Sequence, residues 1–217
     1  MAPDPPSSRS KPLLRGVSHQ VAAFLAAPAA AALVMGAGGG SAKAAALTYG
    51  ASLVTLFAVS ATYHRPTWTP RARRVLWRVD HSAIFLLIAG TYTPFCLLLP
   101  AQTGGWLLAL VWGGAVAGVL QSVLWVRAPK PLVAAVYVLL GWVVVPVLPS
   151  LRAVLGPGAI VLLATGGAAY TLGAVVYATR RPDPFPRVFG YHEVFHALVV
   201  AAAACHYAVV AGAIRAV

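Results

Sequence analysis

The stretch Tyr191–Ile214, YHEVFHALVVAAAACHYAVVAGAI, is apolar over almost its whole length and long enough to cross a bilayer as one helix. Its first turn carries His192 and His196. The i, i+4 spacing puts both imidazoles on one helix face, about 6 Å apart along the axis, near enough to share a metal ion. Ionisable side chains are costly in hydrocarbon, so a pair of them inside a span points to function. The reading of the whole chain depends on whether other ligands reach the same depth.

Composition sets the class. Of 217 residues, 60% are hydrophobic and 9% charged, against about 25% charged in a soluble domain. Mean hydropathy is +0.81. An integral, multi-pass membrane protein is expected, placed in the plasma (cytoplasmic) membrane. The formal net charge is +12, yet the basic residues lie in short clusters between apolar runs. That pattern orients spans in a membrane rather than tracking phosphates, so nucleic acid is not an expected partner. Cys96 and Cys205 both sit inside apolar runs and imply no disulfide framework. Residues 1–12 (MAPDPPSSRSKP) are rich in Pro and Ser and are expected to form a disordered tail ahead of a single domain over 13–217. They lack the apolar core of a cleaved signal peptide, so the first apolar run is read as a permanent span.

Seven spans are expected, at about 17–37, 44–64, 80–100, 104–126, 131–149, 158–179 and 191–214. The connections at 101–103 and 127–130 are short and demand antiparallel neighbours. Arg9, Lys11, Arg15, Arg65, Arg71, Arg73, Arg74, Arg78, Arg127, Lys130, Arg180, Arg181 and Arg187 fall on one side of this map, and Lys43, Arg152 and Arg215 on the other. The excess marks the cytoplasmic side. The expected fold is therefore an all-α, seven-transmembrane helix bundle with a cytoplasmic N-terminus and the C-terminus outside, opposite to a G-protein-coupled receptor.

On this map His64 ends the second span, Asp80 begins the third, and His192 and His196 begin the seventh, all at the cytoplasmic end. Ser60 lies one turn before His64 on the same face. Imidazole suits Zn²⁺, and three protein ligands with an open fourth position describe a catalytic zinc site. His64, His192 and His196 are the candidate metal ligands. Asp80 is the candidate base for a water at the metal, or a partner orienting a ligand. Ser60 is the candidate to hydrogen-bond Asp80 or to polarise a substrate carbonyl. The alternative for each residue alone is that it caps a helix at the wet interface.

Three segments carry a family resemblance. Ser60-Ala61-Thr62-Tyr63-His64 fits S-x-x-x-H, Asp80 to Phe95 resembles the third-span signature of hemolysin III proteins, and Tyr191 to His196 with Cys205-His206 resembles their last span. The similarity runs from Arg15-Gly16-Val17-Ser18-His19 to the last helix. The progestin and adiponectin receptors, and more distantly the alkaline ceramidases, are wider relatives. The resemblance implies a seven-helix bundle with its N-terminus inside, and zinc on His64, His192 and His196 with Asp80 contacting it through water. It also implies activity on a lipid amide or ester, since eukaryotic relatives are linked to ceramide hydrolysis. Two alternatives stand beside a zinc-dependent lipid hydrolase. One is a non-enzymatic sensor or regulator of membrane lipid or energy homeostasis with structural zinc; the other is a pore-forming haemolysin. Membrane lipids are the expected partners. The loops are too compact to bind a protein hormone, and the sequence leaves the oligomeric state open.

Other signals are set aside. His192-Glu193-x-x-His196 matches the zincin pattern, but no third ligand follows at metzincin spacing, and Glu193 is read as a solvated interfacial residue. Gly36 to Lys43 lacks the G-K-[ST] ending of a phosphate loop and is read as a turn. Gly114 and Gly118 form a small-xxx-small pair expected to pack helices closely. His206, about 15 Å deeper than His196, is too far for the same ion and is read as a packed core histidine. His19 and His81 are read as interfacial, with His19 also a candidate supporting partner of the metal ligands.

Overall fold

The computed structural model describes residues 11–217. The expected disordered tail falls almost wholly on residues 1–10, which lie outside the described residues. Seven α-helices follow in the described chain: α1 (Val17–Gly36), α2 (Gly40–His64), α3 (Pro70–Cys96), α4 (Ala101–Leu124), α5 (Lys130–Gly141), α6 (Leu148–Thr179) and α7 (Tyr191–Ala216). A 3-10 segment, Trp142–Val147, joins α5 to α6. Apart from one isolated antiparallel bridge between Phe185 and Phe189, the regular structure among the described residues is all helical.

Five helical runs are long and apolar enough to cross a membrane: α1, α2, α4, the combined run Lys130–Thr179, and α7. The chain is thus a membrane protein. α3 is less apolar than these: Arg71, Arg73, Arg74 and Arg78 occupy its first turns, and Asp80, His81, Ser82, Thr91 and Thr93 interrupt the rest. It starts ten residues before the expected span at 80. Thr69 accepts the Ala72 N–H at 3.3 Å and Pro70 occupies the first helical position, a start signal that overrides the charge run.

The fifth and sixth expected spans also differ. A loop was expected near 150–157, yet α6 is already helical from Leu148 and kinks at Gly156, where φ is +79°. The break comes earlier, at Trp142–Val147, around Pro146. A broken helix in hydrocarbon must have its freed backbone groups satisfied. Tyr92 of α3 does this: its hydroxyl donates to the Gly141 carbonyl at 2.7 Å and accepts the Val144 N–H at 2.8 Å.

α3 packs against α2, α4, α5 and α7, while α7 touches α1, α2, α3 and α6. The helices that carry His64, Asp80 and the His192/His196 pair are mutual neighbours. Small residues allow close approach where no hydrophobic drive separates helix from lipid. A Cβ at Gly50 would stand 2.8 Å from the Ala30 Cβ of α1. The Gly114/Gly118 pair faces two different helices: a Cβ at Gly114 would meet Leu140 of α5 at 2.7 Å, and one at Gly118 would enter the ring of Phe85 on α3. Phe85 is fully buried and has nowhere to go. Gly118→Leu is therefore expected to lower stability by about 2–3 kcal/mol or to prevent folding. Gly113→Leu, whose added atoms meet open space, is the control, and thermal unfolding in detergent compares them.

Candidate metal centre

α2 ends at His64 and α7 begins at Tyr191, so each presents its histidines at the same end of the bundle. The ligand nitrogens of His64, His192 and His196 all lie within 4.8 Å of one another. His64 Nε2 and His192 Nε2 are 3.2 Å apart. The three rings meet obliquely, at 57° to 68°, so they converge instead of stacking. Two nitrogens bound tetrahedrally to one zinc at 2.0–2.1 Å stand about 3.3 Å apart, which is the His64–His192 separation already present. His196 is 1% exposed and its Nδ1 is buried with no hydrogen-bond partner. An all-imidazole cluster with an orphaned nitrogen and close ring nitrogens fits a divalent cation.

Asp80 brings a carboxylate from α3. Its Oδ2 is 3.7 Å from His64 Nε2 and 3.9 Å from His81 Nδ1. The interfacial reading of His81 is corrected: it is tied into the bundle. Its Nδ1 lies 3.0 Å from the Trp77 carbonyl and its Nε2 3.3 Å from the Tyr177 hydroxyl, while the Tyr137 hydroxyl donates to its carbonyl at 3.2 Å.

Ser60 and His19 pair with each other. His19 Nδ1 is 2.8 Å from Ser60 Oγ. Of the two roles expected for Ser60, a hydrogen bond to Asp80 or contact with a substrate carbonyl, the first is not made: its hydroxyl meets α1 instead. His19 is 3% exposed and stacks on His196, with ring centroids 3.7 Å apart and planes 8° from parallel. Its reading as an interfacial residue is corrected: it is buried because α1 packs on both α2 and α7. Depth near the start of the first span was the one sequence signal for it.

Glu193 is not solvated either. It is 2% exposed. Its Oε1 pairs with Arg15 Nε at 2.5 Å, and its Oε2 accepts the Gly190 N–H at 2.8 Å, capping α7. The cap explains why an acidic residue is tolerated here: the first N–H groups of a helix need acceptors. Asp183 adds another, its Oδ1 accepting the Tyr191 N–H at 2.9 Å. The Glu193 carboxylate is thus engaged by the Arg15 charge on one side and by the α7 N-terminus on the other. Arg15 belongs to a segment that crosses this end of the bundle. Leu13 and Leu14 donate to the carbonyls of Arg187 and Val188, each at 3.1 Å. Lys11 Nζ donates to the Arg65 carbonyl at 2.7 Å. Partial burial, then the charges of Arg15, Arg65 and Arg73, hold the Lys11 ammonium below the ordinary lysine value.

His206 stands apart, as expected of a packed histidine. Its Nε2 is 3.2 Å from the Leu163 carbonyl, and its ring lies against Gly166, where a Cβ would collide with it.

Comparison with known proteins supplies the lineage. The family described as Haemolysin-III related matches residues 7–207. "Hemolysin-3" of Bacillus cereus is 33% identical over 197 residues, covering 88% of this chain and 86% of that one. "Hemolysin-3 homolog" of Bacillus subtilis is 30% identical over 199 residues, 90% of each chain. "Heptahelical transmembrane protein ADIPOR2" of Oryza sativa subsp. japonica is 32% identical over 175 residues, covering 72% of this chain and 76% of that one. The His64–His192–His196 cluster thus sits in a chain that belongs to the haemolysin-III related family.

Proposed function

We propose that this protein is a zinc-dependent membrane hydrolase acting on a lipid amide or ester. The observation that supports it best is the convergence of His64, Asp80, His192 and His196 from three helices at one end of the bundle. Bound by the three histidines, zinc would supply Lewis acidity for a carbonyl and an acidified water near neutral pH. Asp80, with its carboxylate 3.7 Å from His64 Nε2, would be the group that accepts a proton there. Ser60 orients the site through its bond to His19. The substrate carbonyl enters from the bilayer, the phase that membrane lipids occupy.

The proposed topology is seven crossings in the plasma membrane, with the N-terminus in the cytoplasm and the C-terminus outside. Contacts of Lys11 with the end of α2, and of Leu13, Leu14 and Arg15 with the start of α7, gather basic segments at one end, as a cytoplasmic face requires.

A specific distance favours a second reading. Asp80 lies 3.7 Å from His64 Nε2, close enough to close the coordination sphere as a fourth ligand, and closed four-ligand zinc sites are structural. The protein would then be a sensor or regulator of the bilayer clamped by zinc. The test is metal quantification on detergent-purified protein, followed by hydrolysis assays on a panel of ceramides, phospholipids and acylglycerols. Hydrolysis is expected with about one zinc per chain, falling by about 100-fold or more in Asp80→Asn, the loss typical of a missing general base. Stoichiometric zinc with turnover no higher than that of His192→Ala would exclude the hydrolase and leave the clamp.

A further inference from the structure

Hydroxyls inside apolar helices usually bond back to the carbonyl four residues earlier. Thr48, Thr91, Thr93, Thr165, Thr171 and Thr179 all do so here. Ser60 reaches across to another helix instead, meeting His19 Nδ1 at 2.8 Å. His19 packs on Phe57 in a T-shaped contact, with centroids 5.1 Å apart and planes at 75°, and lies face to face with His196 at 3.7 Å and 8°. Phe57 and Ser60 thus hold the buried His19 ring in the orientation that stacks it on His196. The ring stacked on it inherits that orientation.

We infer that His19 is a positioning residue of the metal centre: bonded to Ser60, it fixes the plane of the His196 imidazole and presents an electron-rich face to that ring. This rests on the proposal that His64, His192 and His196 bind a divalent cation. The physical reason is that a coordinated imidazole carries part of the cation's charge, and a neutral aromatic face stabilises a neighbouring cationic group. Supporting residues around metal-binding histidines set ring orientation, and their loss weakens metal affinity by roughly 10–100-fold. The arrangement also gives Ser60 a task other than contact with substrate. Its hydroxyl supports the centre at one remove, through His19 and then His196.

The experiment uses the full chain in detergent, stripped of metal and titrated with Co²⁺, read by its visible ligand-field bands. Those bands report ligand orientation and do not respond to general loss of stability. His19→Ala is expected to weaken Co²⁺ binding by roughly 10–100-fold and to shift the bands at saturation. Ser60→Ala should shift them in the same sense, and Ser60→Thr, which restores a hydroxyl, should return them to wild type. If His19→Ala does not fold, the Ser60→Ala and Ser60→Thr pair decides the question. Unchanged affinity and bands in folded His19→Ala, or in Ser60→Ala, would overturn the inference while leaving the metal centre intact. A wild-type chain that takes up no Co²⁺ or Zn²⁺ would sink the metal centre itself, and the inference with it.

Discussion

Substitution of His64 by alanine is expected to take bound zinc from about one per chain to background. His192 and His196 alone sit one turn apart on α7 and offer two nitrogens. The third must come from α2, where His64 Nε2 stands 3.2 Å from His192 Nε2. Loss of a direct ligand should exceed the roughly 10–100-fold penalty of losing a supporting residue. The same substitution should remove a linkage effect. Zinc at about 100 times its dissociation constant stabilises the state that binds it by about 2.7 kcal/mol, so wild-type protein should melt at higher temperature as zinc is added. His64→Ala should show no such rise. His206→Ala is the matched control, since that imidazole bonds the Leu163 carbonyl away from the cluster; its zinc content and its zinc-dependent melting should stay at wild-type levels. Zinc retained by His64→Ala would mean that the cluster is not the binding site.

The helices and the three clustered histidines are legible in the sequence for one reason: both signals are local. Apolar runs mark the helices, and a histidine inside an apolar run stands out against its neighbours. His192 and His196 need only helical periodicity to be placed together, and the antiparallel alternation of spans brings His64 to their end of the bundle. What the sequence did not show depends on pairing between distant segments. Ser60 and His19 are 41 positions apart, and no period relates them, so the sequence suggests only Asp80 or a substrate carbonyl as partners for Ser60. Glu193 was read as solvated because an acid at the edge of an apolar run ordinarily faces water; its partner Arg15 lies near the other end of the chain. The break between α5 and α6 was hidden for a different reason. Trp142–Val147 is as apolar as the helices around it, and the hydroxyl that satisfies its freed backbone groups comes from Tyr92 on another helix.

Arg15→Ala is expected to destabilise the protein by about 3–5 kcal/mol, because it leaves a buried charge unpaired. Glu193 is 2% exposed, and Arg15 is its cationic partner at 2.5 Å. The attraction in the intact pair offsets the cost of taking the carboxylate out of water; without the guanidinium that cost stands uncompensated. Glu193→Gln keeps an oxygen to accept the Gly190 N–H, so α7 retains its cap while losing the charge. The double variant, Arg15→Ala with Glu193→Gln, should therefore be more stable than Arg15→Ala alone, a non-additivity that a double-mutant cycle reads directly. The effect should reach the metal centre too. Glu193 lies between His192 and His196 in the first turn of α7, and Arg15 ties that turn to the segment in which Leu13 and Leu14 bond the carbonyls of Arg187 and Val188. Loosening it should weaken zinc binding in Arg15→Ala, with recovery in the double variant. Equal melting temperatures and zinc affinities for wild type and Arg15→Ala would show that the pair contributes nothing to the fold or to the placement of the two α7 histidines.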